Sequence, residues 1–534
     1  MAMVVVVVSS PLPSPVPVLA PQEFASPDDE KPSDYHGRRT IWPGSIFCLV
    51  LLVGSVVLLT YLGENVHTRT IERVRAKLLA AAERKRIASN GSSMNDSLID
   101  PIDGQVDNPR HYPARRCALP NYVSRNNGIY AEHAGTSQRV SIKGINWFGA
   151  ETAAAIPMGL WDNGINGTTV MAITSFLTEH KFNSVRVPLC VEHLLRNTAP
   201  DPRLVNLQSN RAFDIGSYVR MLQSLIVALG ARNISVLLDL HTLTTTDKGD
   251  NWFSAAVPQD AVLSAVDVLT THLCAPRYWN VLGLDLKNEP WKATWGTDEP
   301  SDFRTGATLL GNRMLAGCPS WLAFVEGTWA SHDIPNQFSY FDWWGGGLQK
   351  AGSLPVILSQ TNKVVYAPHY YNPSVSVQPY MYASGTVDSN GALQRYVELD
   401  DATLRSRIAL SMQHMFGYLT STTPHAVVLG EFGGLYGGDT HPQRTNQRVT
   451  QLVVAMLAEP ATYGYAGGYV WSLNPESGYA FSDGATMGAF HEGLVDDTWL
   501  KANDAYLQAL SPMDAMPHLS PFPCFELPAV DEPV

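Results

Sequence analysis

Hydrophobic and polar positions fall into three regimes along the chain. Residues 41–62, IWPGSIFCLVLLVGSVVLLTYL, hold no charge in 22 positions. As a helix they run about 33 Å, against a hydrocarbon core of about 30 Å, so they predict a transmembrane helix. Before them, residues 1–40 are Pro-rich and then polar and charged, which predicts a disordered tail. After them, residues 63–111 read as a charged helical stem, RTIERVRAKLLAAAERKRIA, and a linker rich in Ser, Asn and Asp. Beyond residue 112 the pattern changes to short apolar runs of β type.

Eight such runs recur, at 139–147, 183–188, 234–241, 281–289, 322–327, 364–371, 426–431 and 468–473. Helical patterns separate most of them. In IGSYVRMLQSLIVALG, residues Ile215, Val219, Leu222, Leu225, Ile226 and Leu229 fall on one face. Alternation repeated eight times predicts an α/β fold with a parallel sheet, most simply a closed (β/α)8 TIM barrel with enlarged βα loops. An open doubly wound sheet is the alternative. The barrel is expected over residues 112–510, with a Pro-rich tail at 511–534.

The net charge of −12 argues against a phosphate-backbone binder, so no nucleic acid partner is expected. Twelve of the thirteen Trp lie beyond residue 140, enough to supply stacking surfaces as well as core. The six Cys form no CxxC and no zinc spacing. Cys274–Cys318 and a link from Cys117 to Cys524 or Cys190 are the favoured pairings. Arg38 and Arg39 precede the apolar segment, and Arg69, Arg73, Arg75 and Lys77 follow it, so flanking charge does not orient it. Sequons at Asn90, Asn95, Asn166 and Asn233 favour a cytoplasmic N-terminus and an extracellular or lumenal C-terminal part.

The strand ends carry the chemistry. The runs finish in Asn146 and Trp147, Arg186, His241, Asn288 and Glu289, His369 and Tyr371, Glu431, and Trp471. In a barrel these ends converge on one face. Glu289 and Glu431 close runs four and seven, across the mouth from one another. A carboxylate pair facing across a cleft suits glycoside hydrolysis, one protonating the leaving oxygen while the other attacks or directs water. His241 and His369 have no helical spacing and no Cys partner, so neither metal nor cofactor is expected.

These motifs, in order, resemble glycoside hydrolase family 5 and most of all its bacterial endo-β-1,4-glucanases. LKNEPW is similar to the segment around that family's acid/base, and VVLGEFGG to the segment around its nucleophile. GINWFGAET, SVRVPL, LDLH, APHYYNP and GYVWSLNPESG are similar to its other site strands. The resemblance spans about residues 128–500. It implies that Glu289 is the general acid and then base, with a raised pKa. It implies that Glu431 is the nucleophile, kept ionised by Arg186 and Tyr371. Asn288 would hold the sugar 2-OH, His241 and His369 would hydrogen-bond hydroxyls and carboxylates, and Trp471 would floor the cleavage subsite. Trp147 is expected to bind substrate, and it heads a set of candidate subsite residues with Trp252, Trp291, Trp295, Trp329, Trp343 and Trp344.

The implied activity is retaining hydrolysis of a β-glucan polysaccharide by a monomer anchored through residues 41–62. A β-mannanase, a β-1,3-glucanase or a glycolipid glycosidase shares the fold and catalytic pair, and a non-hydrolytic glucan-binding surface protein is the alternative of another class. Lys287 departs from the pattern, standing where relatives often carry His or another residue.

Overall fold

The computed structural model describes residues 43–85, 87, 97–113, 115–389, 393–437, 444–476, 478–479 and 490–527. The expected tail of residues 1–40, the sequons at Asn90 and Asn95, and residues 528–534 lie outside them. The chain divides into two units, Met1–Ile71 and Glu72–Val534.

One helix, Pro43–Lys85, covers the described part of the apolar segment and continues through the charged stem. Over Pro43–Lys77 it is long and apolar enough to cross a membrane. Its Ile46, Leu52, Leu59 and Tyr61 are all exposed, so the helix is apolar around its girth.

The second unit is built on eight parallel strands: β1 Ile142–Asn146, β2 Ser184–Cys190, β3 Ser235–Thr242, β4 Val281–Asp285, β5 Leu322–Val325, β6 Val364–Tyr366 continuing as His369–Tyr371, β7 Ala426–Val427 continuing as Leu429–Gly433, and β8 Gly467–Trp471. Each pairs with the next, and β8 pairs back onto β1 with Gly467 opposite Ile142, so the sheet closes as a (β/α)8 barrel. The break in β6 falls at Pro368, which has no N–H to give. Its carbonyl still accepts from Gly430, so pairing carries through.

The helix after β2, Tyr218–Ala231, buries Val219, Leu222, Leu225, Ile226 and Leu229 as their spacing predicts. The hydroxyl of Ser217 caps it by accepting from the Arg220 N–H, while Ile215 lies ahead of the helix.

Residues 139–147 do not form one strand. Thr136–Val140 is the third strand of an antiparallel sheet with Asn121–Arg125 and Gly128–His133, and β1 begins at Ile142. An unbroken apolar run does not reveal that the chain changes sheets within it. This small sheet closes the N-terminal end of the barrel. Tyr122, Ile129 and Val140 pack in one cluster with Leu282, Leu322, Val365 and Ala426, and the Tyr122 hydroxyl donates to the Trp279 carbonyl just ahead of β4.

Both flanks assigned to linker and tail pack on the barrel. Asp100 and Val106 are buried, and Asp100 pairs with Arg211. Met513, Met516 and Phe522 are buried, and Asp514 pairs with Lys143 of β1. The disulfides are Cys274–Cys318 and Cys117–Cys524, and Cys190 is a buried thiol.

Candidate active site

Strand register assembles the site. Asn146 lies opposite Arg186, and His369 lies opposite Glu431, so neighbouring strands deliver their functional side chains at the same height. Arg186 is fully buried and is the hub. Its Nη1 donates to Glu431 Oε1 at 2.6 Å and to Asn146 Oδ1 at 3.1 Å. Its Nη2 reaches Asn288 Oδ1 and Glu326 Oε1, both at 3.0 Å, and Nε reaches Asp285 Oδ2 at 3.0 Å. Asp239 lies 3.1 Å from Nη2. Burial opposes this charge, but four surrounding carboxylates hold it firmly.

Glu431 is pinned on both oxygens, by Arg186 on Oε1 and by the Tyr371 hydroxyl, which donates to Oε2 in a short contact. Glu289 is less constrained, and its side chain keeps 23% of its surface exposed to the cleft. His369 stands between them, with Nδ1 3.1 Å from Glu289 Oε1 and 3.6 Å from Glu431 Oε2. Its other nitrogen lies 3.0 Å from Glu326 Oε1. Burial disfavours a charged imidazole here, yet the three carboxylates raise its pKa well above the ordinary value.

That imidazolium reverses one expectation. Burial works to raise Glu289, but the hydrogen bond and charge of His369 hold its carboxyl below the usual range in the unliganded site. Burial raises Glu431, against the pull of His369 and Arg186. The two carboxylates are close enough to titrate as one system, so which holds the proton depends on what fills the cleft.

A line of three nearly parallel rings runs beside the pair. Trp471, at the end of β8, lies 5.4 Å from Phe148 at an interplanar angle of 4°, and 5.7 Å from His241 at 15°. His241 is fixed by Asp239, 2.7 Å from its Nδ1, and burial lowers its pKa to about 3, so it is neutral. Its Nε2 faces the Asn288 amide at 3.5 Å. Phe148, Glu151, His241, Asn288, Glu289 and Glu431 are among the walls of a cleft of about 510 Å³.

Trp147 is not at that cleft. Its side chain is fully buried, and its indole N–H donates to the Met158 carbonyl at 3.0 Å. Side chains alternate in direction along an extended chain, so the residue facing the cleft is the next one, Phe148. Trp252, Trp295 and Trp343 are also buried. Trp329 and Trp344 are exposed, and Trp344 stacks on Trp291 with centroids 4.9 Å apart.

Three acids beneath the site escaped sequence reasoning. Asp239, Asp285 and Glu326 are fully buried, and burial raises them to about 7, about 6 and about 7 respectively. A signal existed. Asp239 precedes His241 by two, and Asp285 precedes Lys287 by two, the spacing of one strand face.

Glu289, His369 and Glu431 each offer an atom within 4.8 Å of the others, a spacing a metal ion also uses. Metal ligation needs a neutral imidazole, and these carboxylates favour a protonated one, so the set suits proton transfer better than coordination.

Comparison with known proteins gives a consistent picture. The family model Cellulase (glycosyl hydrolase family 5) matches residues 137–477. An endoglucanase from Paenibacillus polymyxa is 29% identical over 369 residues, covering 67% of this chain and 80% of that protein. The major extracellular endoglucanase of Xanthomonas campestris pv. campestris is 31% identical over 346 residues, covering 64% of this chain and 63% of that one. The solved endocellulase of Pyrococcus horikoshii superposes with a TM-score of 0.60 at 25% identity, covering 74% of this chain and 99% of that one. A cellotetraose complex of that endocellulase matches with a TM-score of 0.60 at 26% identity, covering the same shares of the two chains.

Proposed function

We propose, for a chain that belongs to the cellulase family, glycosyl hydrolase family 5, and is thereby a glycoside hydrolase, that it cleaves internal β-1,4 bonds of a glucan with retention of configuration. The carrying observation is the spacing of the carboxylates. An oxygen of Glu289 and one of Glu431 lie within 4.8 Å of each other. That is near the roughly 5–5.5 Å of pairs in which one carboxylate attacks, and short of the roughly 6.5–9.5 Å that admits a water.

In the first step Glu431 attacks the anomeric carbon and Glu289 gives its proton to the departing glycosidic oxygen. In the second, Glu289 takes a proton from water, whose oxygen displaces Glu431 and restores the starting configuration. Arg186 and Tyr371 aim the nucleophile. Arg186 occupies the side-chain oxygen Oδ1 of Asn288, and the amide nitrogen, with one N–H toward His241, has its second N–H for the sugar 2-OH. The rings of Trp471 and Phe148 offer a flat apolar strip to a pyranose face.

The β-1,4 glucan is supported by the endoglucanase relatives and by the cellotetraose bound to the Pyrococcus endocellulase. The enzyme acts as a monomer held by its apolar helix, with the N-terminus cytoplasmic and the catalytic unit outside. Two disulfides support an oxidising compartment for that unit.

The test is NMR of the first product from a cello-oligosaccharide, alongside activity on cellulose, mannan and β-1,3-glucan. The β-anomer should appear first and the β-1,4 glucan should be the best substrate. Initial release of the α-anomer would sink the mechanism, and preference for mannan or β-1,3-glucan would sink the substrate. Glu289→Ala should lose about 10²–10⁴-fold on glucan, yet show a burst and azide rescue on an activated aryl glycoside. Glu431→Ala should show no burst, and any azide product should be the inverted α-glycosyl azide instead of the β-azide expected from Glu289→Ala.

A further inference from the structure

Glu289 has φ of 45°, in the left-handed region that a residue with a Cβ avoids. Such a conformation persists only where its surroundings impose it. Two buried side chains grip the peptide that enters it. The N–H of Glu289 donates to Glu326 Oε2 at 2.7 Å. The carbonyl at the other end of that peptide, on Asn288, accepts a short hydrogen bond from the ammonium of Lys287.

Lys287 is only 1% exposed, and its ammonium also donates to the carbonyls of Lys248 at 2.9 Å and His241 at 3.2 Å. It therefore ties the end of β3 and the loop after it to the tip of β4. The peptide gives its N–H to the Glu326 oxygen and its carbonyl oxygen to the ammonium, so both hydrogen bonds oppose rotation of the peptide plane. Burial lowers the Lys287 pKa, and Asp239, Glu326, Glu289 and Asp285 oppose the loss of its charge. Simple surface solvation does not explain an ammonium in this place. Its three carbonyl partners all lie at the mouth beside Glu289.

We propose that Lys287 and Glu326 are positioning residues that hold the Asn288–Glu289 peptide from its two ends and so aim the Glu289 carboxyl at the glycosidic oxygen. The proposal rests on Glu289 being the acid. Glu326 has a second duty through His369 and Arg186, whereas every hydrogen bond of the Lys287 ammonium goes to a backbone carbonyl.

The experiment uses the full chain with Lys287→Met and Glu326→Gln, and two cellobiosides with the same sugar, one with a good aryl leaving group and one with a poor one. Comparison by kcat/KM isolates the first step. Lys287→Met should lose about 10- to 100-fold on the poor leaving group, the scale of a misplaced catalytic group, and less than about 3-fold on the good one. Glu326→Gln is equal in length and sets an amide where Oε1 and Oε2 accepted from Arg186 and the Glu289 N–H, so it tests the same peptide if Lys287→Met does not fold. It should show the same leaving-group dependence, more weakly. The two losses should combine to less than their product, because both act through one peptide.

Equal losses on both substrates, or a lowered melting temperature with no leaving-group dependence, would overturn the proposal. Glu289→Ala serves as the reference. If it lacks leaving-group dependence, the assignment of the acid fails. If it shows the dependence and the other two variants do not, only the positioning role fails.

Discussion

Nδ1 of His369 lies 3.1 Å from Oε1 of Glu289 and 3.6 Å from Oε2 of Glu431. The imidazolium stabilises the carboxylates of both Glu289 and Glu431 as anions. Removing a positive charge raises the pKa of a neighbouring carboxyl. On the proposed mechanism the active form holds one proton on the pair, so both limbs of its pH profile should move together.

His369→Asn is therefore expected to shift the bell of kcat/KM to higher pH by about one unit, with a lower maximum. The pH–rate profile measures it. An unmoved bell, or one displaced to lower pH, would refute the electrostatic role of His369.

Glu151 links the site to stability. Its Oε2 accepts from the Gly149 N–H at 2.7 Å, and burial raises its pKa to about 7. A carboxyl raised on folding prefers its proton in the native state. Its contribution is complete below the unfolded pKa and is lost as pH rises through about 7. Wild type should lose on the order of 1–3 kcal/mol to this group between mildly acidic and neutral pH. Glu151→Gln should flatten that slope in denaturant melts. A slope equal to wild type would show that Glu151 does not carry it.

Trp471→Ala should cost about 10-fold in kcat/KM on cello-oligosaccharides, about 1.4 kcal/mol of stacking. Phe148→Ala leaves Trp471 in place without its parallel neighbour, so it should cost less, about 3-fold. Kinetics on both variants decide the order. A larger loss from Phe148→Ala would make Phe148 the principal sugar platform.

The disulfide between Cys117 and Cys524 closes a separation of 407 residues. Replacing both with Ser should lower stability by about 2–4 kcal/mol. Wild type treated with reductant should fall by an amount at least as large, since Cys274–Cys318 opens as well. An unchanged denaturant midpoint in the double variant would mean the barrel end holds without the link.

The convergence of the site side chains was legible in the sequence because the C-terminal ends of barrel strands meet at one mouth. Arg186, His241, Asn288, Glu289, His369, Tyr371, Glu431 and Trp471 each close an apolar run, and the closed sheet brings those ends to one mouth. Trp147 was misplaced by one position, since an apolar run with an aromatic tip does not show which face the aromatic takes. Glu326 was missed because FVEG reads as an ordinary strand end, and its value lies in partners far away in sequence. The lowered Glu289 pKa depends on a hydrogen bond from His369, 80 residues on. The tail from Ser511 looked unstructured by composition, yet Phe522 and Cys524 bind it to the small sheet that closes the barrel.

That same link turns the catalytic unit into a covalent ring. Every βα loop, including those that form the cleft, lies between Cys117 and Cys524. A protease that cuts one loop opens the ring without freeing a fragment. The strands still meet their neighbours, and the severed ends stay attached through sulfur at the far pole. Two bands would separate on a gel only after reduction. The catalytic unit thus survives a first cut as one molecule.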